Sequence, residues 1–266
     1  MITSEVENFP GFPQGILGPE LMERLRKQAE RFAPEIIYDD VSTVDFNSRP
    51  FTIMAGNHAY KARTVIVATG ANAKWLDLPS ETRFKGKGVS SCATCDGFFF
   101  KDKEVVVVGG GDTAMEEASF LANIAKKVTV VHRRDELRAS QIMQDRVRKN
   151  PRISLIFDSV VGEIFGQQKV TGVRLENVKN HNSTTMNADG VFVAIGYTPN
   201  TEVLQGKIDL DAKGYVVTMN ETETSVPGVF AAGDVRDFRY RQAITAAADG
   251  CKAAIDADRF LAEHSK

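Results

Sequence analysis

Glu104-Val-Val-Val-Val-Gly109-Gly110-Gly111-Asp112-Thr113-Ala114 decides the fold of this chain. A β-branched run leads into G-x-G-x-x-A, and Met115-Glu116-Glu117-Ala118 continues with helical spacing. Strand, glycine turn and helix in that order form the context of a dinucleotide fingerprint. Gly109 permits the tight turn. Gly111 lets the backbone approach a pyrophosphate, and Ala114 lets the helix pack closely on the strand. The helix N-terminus attracts the anion. Gly109, Gly111, Asp112 and Thr113 are therefore candidate cofactor-binding residues.

The next strand, Lys127-Val128-Thr129-Val130-Val131, ends in His132-Arg133-Arg134, with Arg138 one turn further. An NAD-binding unit places an acid there for the ribose 2′-hydroxyl. Guanidinium forks suit a phosphate and leave a 2′-hydroxyl without its acceptor. The cluster reads as a site for NADPH, not NADH. His132 either stacks near the adenine or merely ends the strand.

Upstream lies Cys92-Ala93-Thr94-Cys95-Asp96. Two thiols at this spacing can close a small disulfide, and an acid stands beside them. The pair reads as a redox centre, half a zinc site or two ordinary helix-start cysteines. Zinc usually takes four S or N ligands. The chain offers only Cys251 and four scattered histidines, His58, His132, His181 and His264, none at a paired spacing. No metal site is expected. Cys251 sits among small helical residues and reads as a packing residue.

With 266 residues the chain can hold one large or two modest domains. Its net charge of −2, with both signs interspersed, gives no argument for nucleic acid or an anionic membrane surface. No apolar run is long enough to span a bilayer. The first residues lack the basic-then-apolar pattern of a signal peptide. Three cysteines do not make a secreted disulfide framework. The expected setting is cytoplasmic.

Pro19 opens a helix whose Leu21, Met22, Leu25, Ala29 and Phe32 line one face. Short strands are expected at 36–38, 41–46, 51–54 and 64–68. Strand and helix alternate through 103–195, with a helix over 136–148 and strands at 153–157, 170–175 and 191–195, which predicts a parallel sheet. Further strands follow at 214–218 and 228–232, then an amphipathic helix over 243–262. Val65 to Gly70, Val191 to Gly196 and Val229 to Gly233 each drive an apolar strand into glycine. Two of these bracket the central unit. The pattern implies an α/β fold in which one dinucleotide domain is inserted into another, with crossovers near Gly70 and Gly196.

Taken together, the chain resembles the low-molecular-weight thioredoxin reductases. The resemblance runs through Glu5–Phe12, Ala68–Ala71, Cys92–Gly97, Gly109–Ala114, His132–Asp135, Arg138–Ser140, Phe230–Val235 and Tyr240–Thr245. It implies two Rossmann-like domains. A discontinuous FAD domain is formed by residues 1–74 and 197–266, and an NADPH domain over 75–196 carries the dithiol. It also implies a homodimer. Asp234 should accept hydrogen bonds from the ribityl chain of FAD, Arg241, Gln242 and Ala243 should reach the flavin and its phosphate, and Asn8 should pass beside the cofactor.

Two departures stand out. No G-x-G-x-x-G turn precedes Gly109, although the family opens with one to hold the ADP half of FAD. By comparison with the central unit, about 40–50 residues are missing before Met1, which then corresponds to an internal methionine. A chain lacking that strand and turn is expected to bind FAD weakly and to turn over slowly. Ala248-Asp249-Gly250 also stands where the family usually has small, uncharged residues.

The implied chemistry passes a hydride from NADPH to FAD, then electrons to the Cys92–Cys95 disulfide, then to thioredoxin. Cys95 would lie nearer the flavin, Cys92 would attack thioredoxin, and Asp96 would serve as acid and base. The NADPH domain would rotate about connecting strands near 71–76 and 195–199. The alternatives are an NADPH-binding dithiol protein without flavin turnover and another flavoprotein of the superfamily. Of the latter, ferredoxin/flavodoxin reductases lack the dithiol, and peroxiredoxin-system reductases carry additional thioredoxin-like domains.

Overall fold

The computed structural model describes residues 5–264. Five strands form a parallel sheet in the order Ile153–Ile156, Lys127–Val131, Glu104–Val108, Gly190–Val193 and Val89–Ser90. The fingerprint strand is central, and its valines divide between two apolar layers. Val105 and Val107 pack with Met115, Ala118, Leu121, Met143 and Val147, which come from the helices Asp112–Leu121 and Gln141–Lys149. Val106 and Val108 pack with Val161, Ile164, Val173 and Leu175 of an antiparallel sheet. That second sheet is built from Ser159–Gly166, Val170–Asn177 and Ser183–Asn187. A strand covered on both faces carries a continuous β-branched run, as this one does, rather than an alternating pattern.

Several expectations need correction. Strand and helix do not alternate through to 195. After Ile156 the chain returns to Gly190–Val193 through the antiparallel sheet, which covers the face a crossover helix would cover. The helix expected from 136 begins at Gln141. Its would-be first turn is engaged elsewhere: the Arg138 and Ala139 amides donate to the Gly110 carbonyl at 2.7 and 3.1 Å. The Ser140 amide donates to Asp112 Oδ1 at 2.8 Å. Residues 36–38 form no strand. In 214–218 the only pairing among the described residues is one antiparallel bridge, Leu210 to Val216.

The helix Gly18–Glu30 forms as expected, but of its apolar face only Leu21 is buried, and Met22 and Phe32 stand exposed. Cys251 is exposed too. The helix Ala243–Glu263 buries Asp249, Ala253 and Ala257, spaced four apart, and that spacing turns Cys251 outward.

Contacts divide the chain into two compact units, residues up to Gln28 with Ala73–Gly196, and Ala29–Asn72 with the residues from Tyr197 onward. Grouped this way, the segment before Ala29 falls with the central unit. In the second unit Val65–Val67 pairs parallel with Val229–Ala231. The meander Val41–Asp45, Phe51–Ala55 and His58–Ala62 joins a core of Val44, Phe51, Val67, Leu204 and Val229. Ala253 and Ala257 of the last helix cover Phe230 and Ala232. The three recurrent strand ends run into Gly70, Gly196 and Gly233 at φ 71°, 112° and 73°, a region that favours glycine. The chain passes between the units through a two-stranded ribbon of Ala71–Ala73 and Tyr197–Pro199.

Candidate functional site

Because the strands are parallel, Cys92, Gly109, His132 and Gly196 all leave the sheet at the same carboxyl edge. The central strand connects outward to Lys127–Val131 on one side, while Gly190–Val193 flanks it on the other. Open α/β sheets bind ligands at such a switch point.

Cys92 and Cys95 are joined by a disulfide. Cys92 precedes a single helical turn, Ala93–Asp96, followed by a 3-10 turn, Gly97–Phe100. Packing holds this segment. Ala93 and Phe100 are buried in the helix-side core, and Phe100 meets Phe192 edge-on at 5.1 Å. A Cβ on Gly97 would press on Phe120 and Leu121 at 3.1 and 3.2 Å, so the turn lies directly on the fingerprint helix. Phe98 and Phe99 stay exposed, at 57% and 42%. Asp96 is partly buried, and its Oδ1 is shut from solvent with no hydrogen-bond partner. Burial raises its pKa, and a hydrogen bond from Ser90 lowers it. A carboxyl poised in this way can deliver and take back a proton.

The glycine turn fits a phosphate. A Cβ on Gly109 would collide with the Ala194 carbonyl and the Ala114 methyl, so strand and helix approach as closely as glycine allows. A Cβ on Gly111 would meet nothing within 4 Å, which leaves its backbone facing open space at the helix start. Asp112 points to the scaffold, its Oδ1 receiving both the amide and hydroxyl of Ser140 at 2.8 Å. Thr113, partly buried, follows it in the first turn.

His132 is buried, and its ring packs where a Gly110 side chain would stand. That explains the middle glycine, which pattern reading had left without a role. The ring supports the turn from within. Its pKa is lowered, first by burial and then by the three neighbouring arginines, against a hydrogen bond to the Glu136 backbone. Arg133, Arg134 and Arg138 are exposed around it. The neighbouring Asp135 is engaged by Lys179 at 3.1 Å.

The residues expected on the flavin side, apart from Asn8, lie in the second unit. Asp234 follows the Gly233 turn, and its pKa is raised to about 6, chiefly by burial and by repulsion from Asp237, with Arg241 opposing. Donors would favour the ionised form of this half-buried carboxyl, and sugar hydroxyls such as those of a ribityl chain are donors that fit it. Arg241 sits at φ 49° with its guanidinium 3.9 Å from the Tyr197 ring centroid. Its amide donates to Asp237 at 3.2 Å. Gln242 caps the last helix through a reciprocal bond with Thr245, and Ala243 begins it. Asn8 is exposed in the first unit, between the short strands Glu5–Val6 and Ile16–Leu17.

Asp249 is buried and pairs with Arg236 at 2.7 Å while accepting the Gly233 amide at 3.3 Å. The charged departure noted in the sequence is thus a clasp behind the Asp234 turn. Among the described residues no cluster of three or more His, Cys, Asp or Glu suits a metal ion.

The profile of the pyridine nucleotide-disulphide oxidoreductases matches residues 1–250. The chain is 54% identical over 264 residues to a thioredoxin reductase of Streptomyces coelicolor, spanning 98% of this chain and 82% of that one. The solved thioredoxin reductase from Giardia duodenalis superposes with a TM-score of 0.94 at 46% identity, over 98% of this chain and 86% of that one. The one from Streptococcus pyogenes MGAS5005 gives 0.93 at 43%, over 98% and 85%.

Proposed function

The chain belongs to the pyridine nucleotide-disulphide oxidoreductase family, and from that membership we propose that Cys92, Cys95 and Asp96 are its redox centre. Its function is that of a thioredoxin-disulfide reductase using FAD and NADPH. The observation that supports these residues is the disulfide itself, partly exposed and shortly before the exposed Phe98 and Phe99 at the carboxyl edge of a nucleotide-binding sheet.

Bound FAD supplies the relay of two electrons from the NADPH hydride to the disulfide. The chain's own residues do the rest. The glycine turn and helix start hold the pyrophosphate of NADPH, and Arg133, Arg134 and Arg138 hold its 2′-phosphate. Asp234, Arg241, Gln242 and Ala243 hold FAD, with Asn8 beside it. Opening the disulfide takes two electrons and two protons, one of which Asp96 gives to the Cys95 sulfur. Cys92 then attacks a sulfur of the thioredoxin disulfide, and Cys95 closes back on Cys92 to release the dithiol.

The test is direct. With FAD and NADPH, the protein should consume NADPH in step with the appearance of thioredoxin dithiol. Consumption without dithiol would overturn the reading.

Two further outcomes are expected. The exposed rings of Phe98 and Phe99 suit an apolar partner surface around the dithiol. Truncating interface aromatics costs upward of about 1 kcal/mol each, so the Phe98→Ala/Phe99→Ala variant should raise KM for thioredoxin about tenfold or more. Reduction of bound flavin by NADPH should not change. A steady-state titration of thioredoxin checks this.

The second outcome concerns pH. The ionised form of Asp234 accepts ribityl donors, so FAD binding lowers a pKa that stands at about 6 in the free site. As pH falls below that value the free site is protonated, and binding must displace the proton. FAD affinity should therefore fall by up to about tenfold per pH unit below 6, until the pKa of the bound form is reached. Flavin fluorescence titrations should show the slope, and Asp234→Asn should lose it.

A cytoplasmic homodimer completes the proposal. No helix among the described residues is long and apolar enough to cross a membrane. Phe32 and Tyr38, each 80% exposed, are the kind of surface a second copy covers. Light scattering of the purified protein reads the assembly.

A further inference from the structure

The loop that follows Val131 carries an acid as well as its arginines: His132-Arg133-Arg134-Asp135. An acid after this strand is what an NAD-binding unit uses to accept the ribose 2′-hydroxyl. The same carboxylate would repel a 2′-phosphate and compete with it for the guanidinium groups. A site built for NADPH therefore has to deal with Asp135.

The partner of Asp135 comes from a distant part of the first unit. Lys179 Nζ donates to Asp135 Oδ2 at 3.1 Å and pairs with Asp158 Oδ1 at 3.0 Å. Among the described residues, Arg133, Arg134 and Arg138 pair with no carboxylate. The acid of the loop is thus spent on a lysine, and the three arginines are left for an incoming anion.

Backbone bonds place this lysine. It lies in the turn between Val170–Asn177 and Ser183–Asn187. Asn177 Oδ1 accepts the amides of Lys179 and Asn180, each at 3.0 Å, and the Asn177 carbonyl accepts the His181 amide at 2.9 Å. The turn is in turn stitched to the arginine loop. The Val178 amide donates to the Asp158 carbonyl at 2.7 Å, and the Asp158 amide donates to the Arg134 carbonyl at 3.1 Å. The Ser159 amide donates to the His132 carbonyl at 3.0 Å. An exposed ion pair contributes little to stability, and the partners here are 60% and 70% exposed. What the pair changes is the charge that a nucleotide meets.

We infer that Lys179 is a specificity-determining residue for NADPH: from the turn of the antiparallel sheet it holds the Asp135 carboxylate, so that this acid neither occupies the arginines nor accepts the 2′-hydroxyl of NADH. The inference rests on the reading of Arg133, Arg134 and Arg138 as the holders of the 2′-phosphate. The hydrogen bond from Lys179 lowers the Asp135 pKa, which keeps the acid charged and the pair intact at neutral pH. Without the ammonium, the nearest cations along the chain from Asp135 are the guanidinium groups of its own loop.

The experiment is a calorimetric titration of the full chain with NADP+ and NAD+ at low salt. These carry the same 2′-phosphate and 2′-hydroxyl as the reduced forms but bring no hydride, so the reading depends on neither flavin nor thioredoxin. Lys179→Met should weaken NADP+ binding about tenfold, as an unbalanced charge a few ångströms from a phosphate does at low salt, and should leave NAD+ binding unchanged or tighter. Lys179→Arg should keep the wild-type ratio. Adding Asp135→Asn to Lys179→Met should restore NADP+ affinity, because the acid that Lys179 restrained is then gone. A loss that Asp135→Asn does not repair would put Lys179 on the phosphate itself and overturn the inference. A wild-type preference for NADP+ that survives Lys179→Met overturns it as well, and leaves the arginine reading standing. Equal affinities of the wild-type protein for the two nucleotides overturn both.

Discussion

Cys92→Ser should abolish NADPH-driven reduction of thioredoxin while leaving reduction of bound flavin by NADPH intact. Cys95→Ser should lose turnover to the same extent, yet leave Cys92 free to attack. Mixing that variant with oxidised thioredoxin should trap a covalent mixed disulfide, visible by mass under non-reducing conditions and released by a dithiol. The asymmetry follows from the roles assigned above. Cys92 sits at the start of the turn that leads to the exposed Phe98 and Phe99, and Cys95 adjoins Asp96, the proposed proton carrier. Trapping by Cys92→Ser instead of Cys95→Ser would reverse the assignment of the two sulfurs.

Arg133→Ala/Arg134→Ala should remove most of the preference for NADPH. A hydrogen bond to a charged group contributes about 1.5–3 kcal/mol, so losing two such contacts should weaken NADPH binding by about a hundredfold or more. NADH affinity should hardly change, since NADH has no 2′-phosphate to lose. The neighbouring Asp135 is engaged by Lys179, and the helix that follows starts only at Gln141, so the arginines are displayed from a loop. Parallel titrations with the two nucleotides measure the ratio. Equal affinities in the unaltered protein would refute the assignment before any substitution was made.

Much of this was legible in the residues because local rules and long-range structure agree. Val105–Val108 are β-branched and apolar throughout, which only a strand covered on both faces requires. Gly109 and Ala114 are legible because a distance of closest approach dictates them: a Cβ on Gly109 would collide with the Ala194 carbonyl and the Ala114 methyl. The C-x-x-C pair closes as its spacing allowed.

What escaped depends on partners distant in the chain. Of the antiparallel sheet over 159–187 only 170–175 reads as a strand in the sequence, and only the need to cover Val106 and Val108 tells it from a further parallel strand. The late start of the Gln141 helix depends on Gly110 and Asp112 drawing three amides away from it. Cys251 looked like packing because its neighbours are small, but the buried face of that helix is set by Asp249, Ala253 and Ala257. Asp249 itself reads as a flaw in an apolar helix until Arg236 is seen against it.

The dithiol turn is bolted down by Phe100, Ala93 and Gly97 rather than by sulfur. Its covalent ring encloses only the residues between Cys92 and Cys95, and so short a loop restrains the unfolded chain little compared with the long-range cross-links of secreted proteins. Breaking the bond therefore takes less from the scaffold than breaking a long-range cross-link would. A catalyst that must sever and remake one of its own bonds in every cycle is best served by a bond that its architecture does not need. Here the electrons can come and go while the geometry that receives them stays in place.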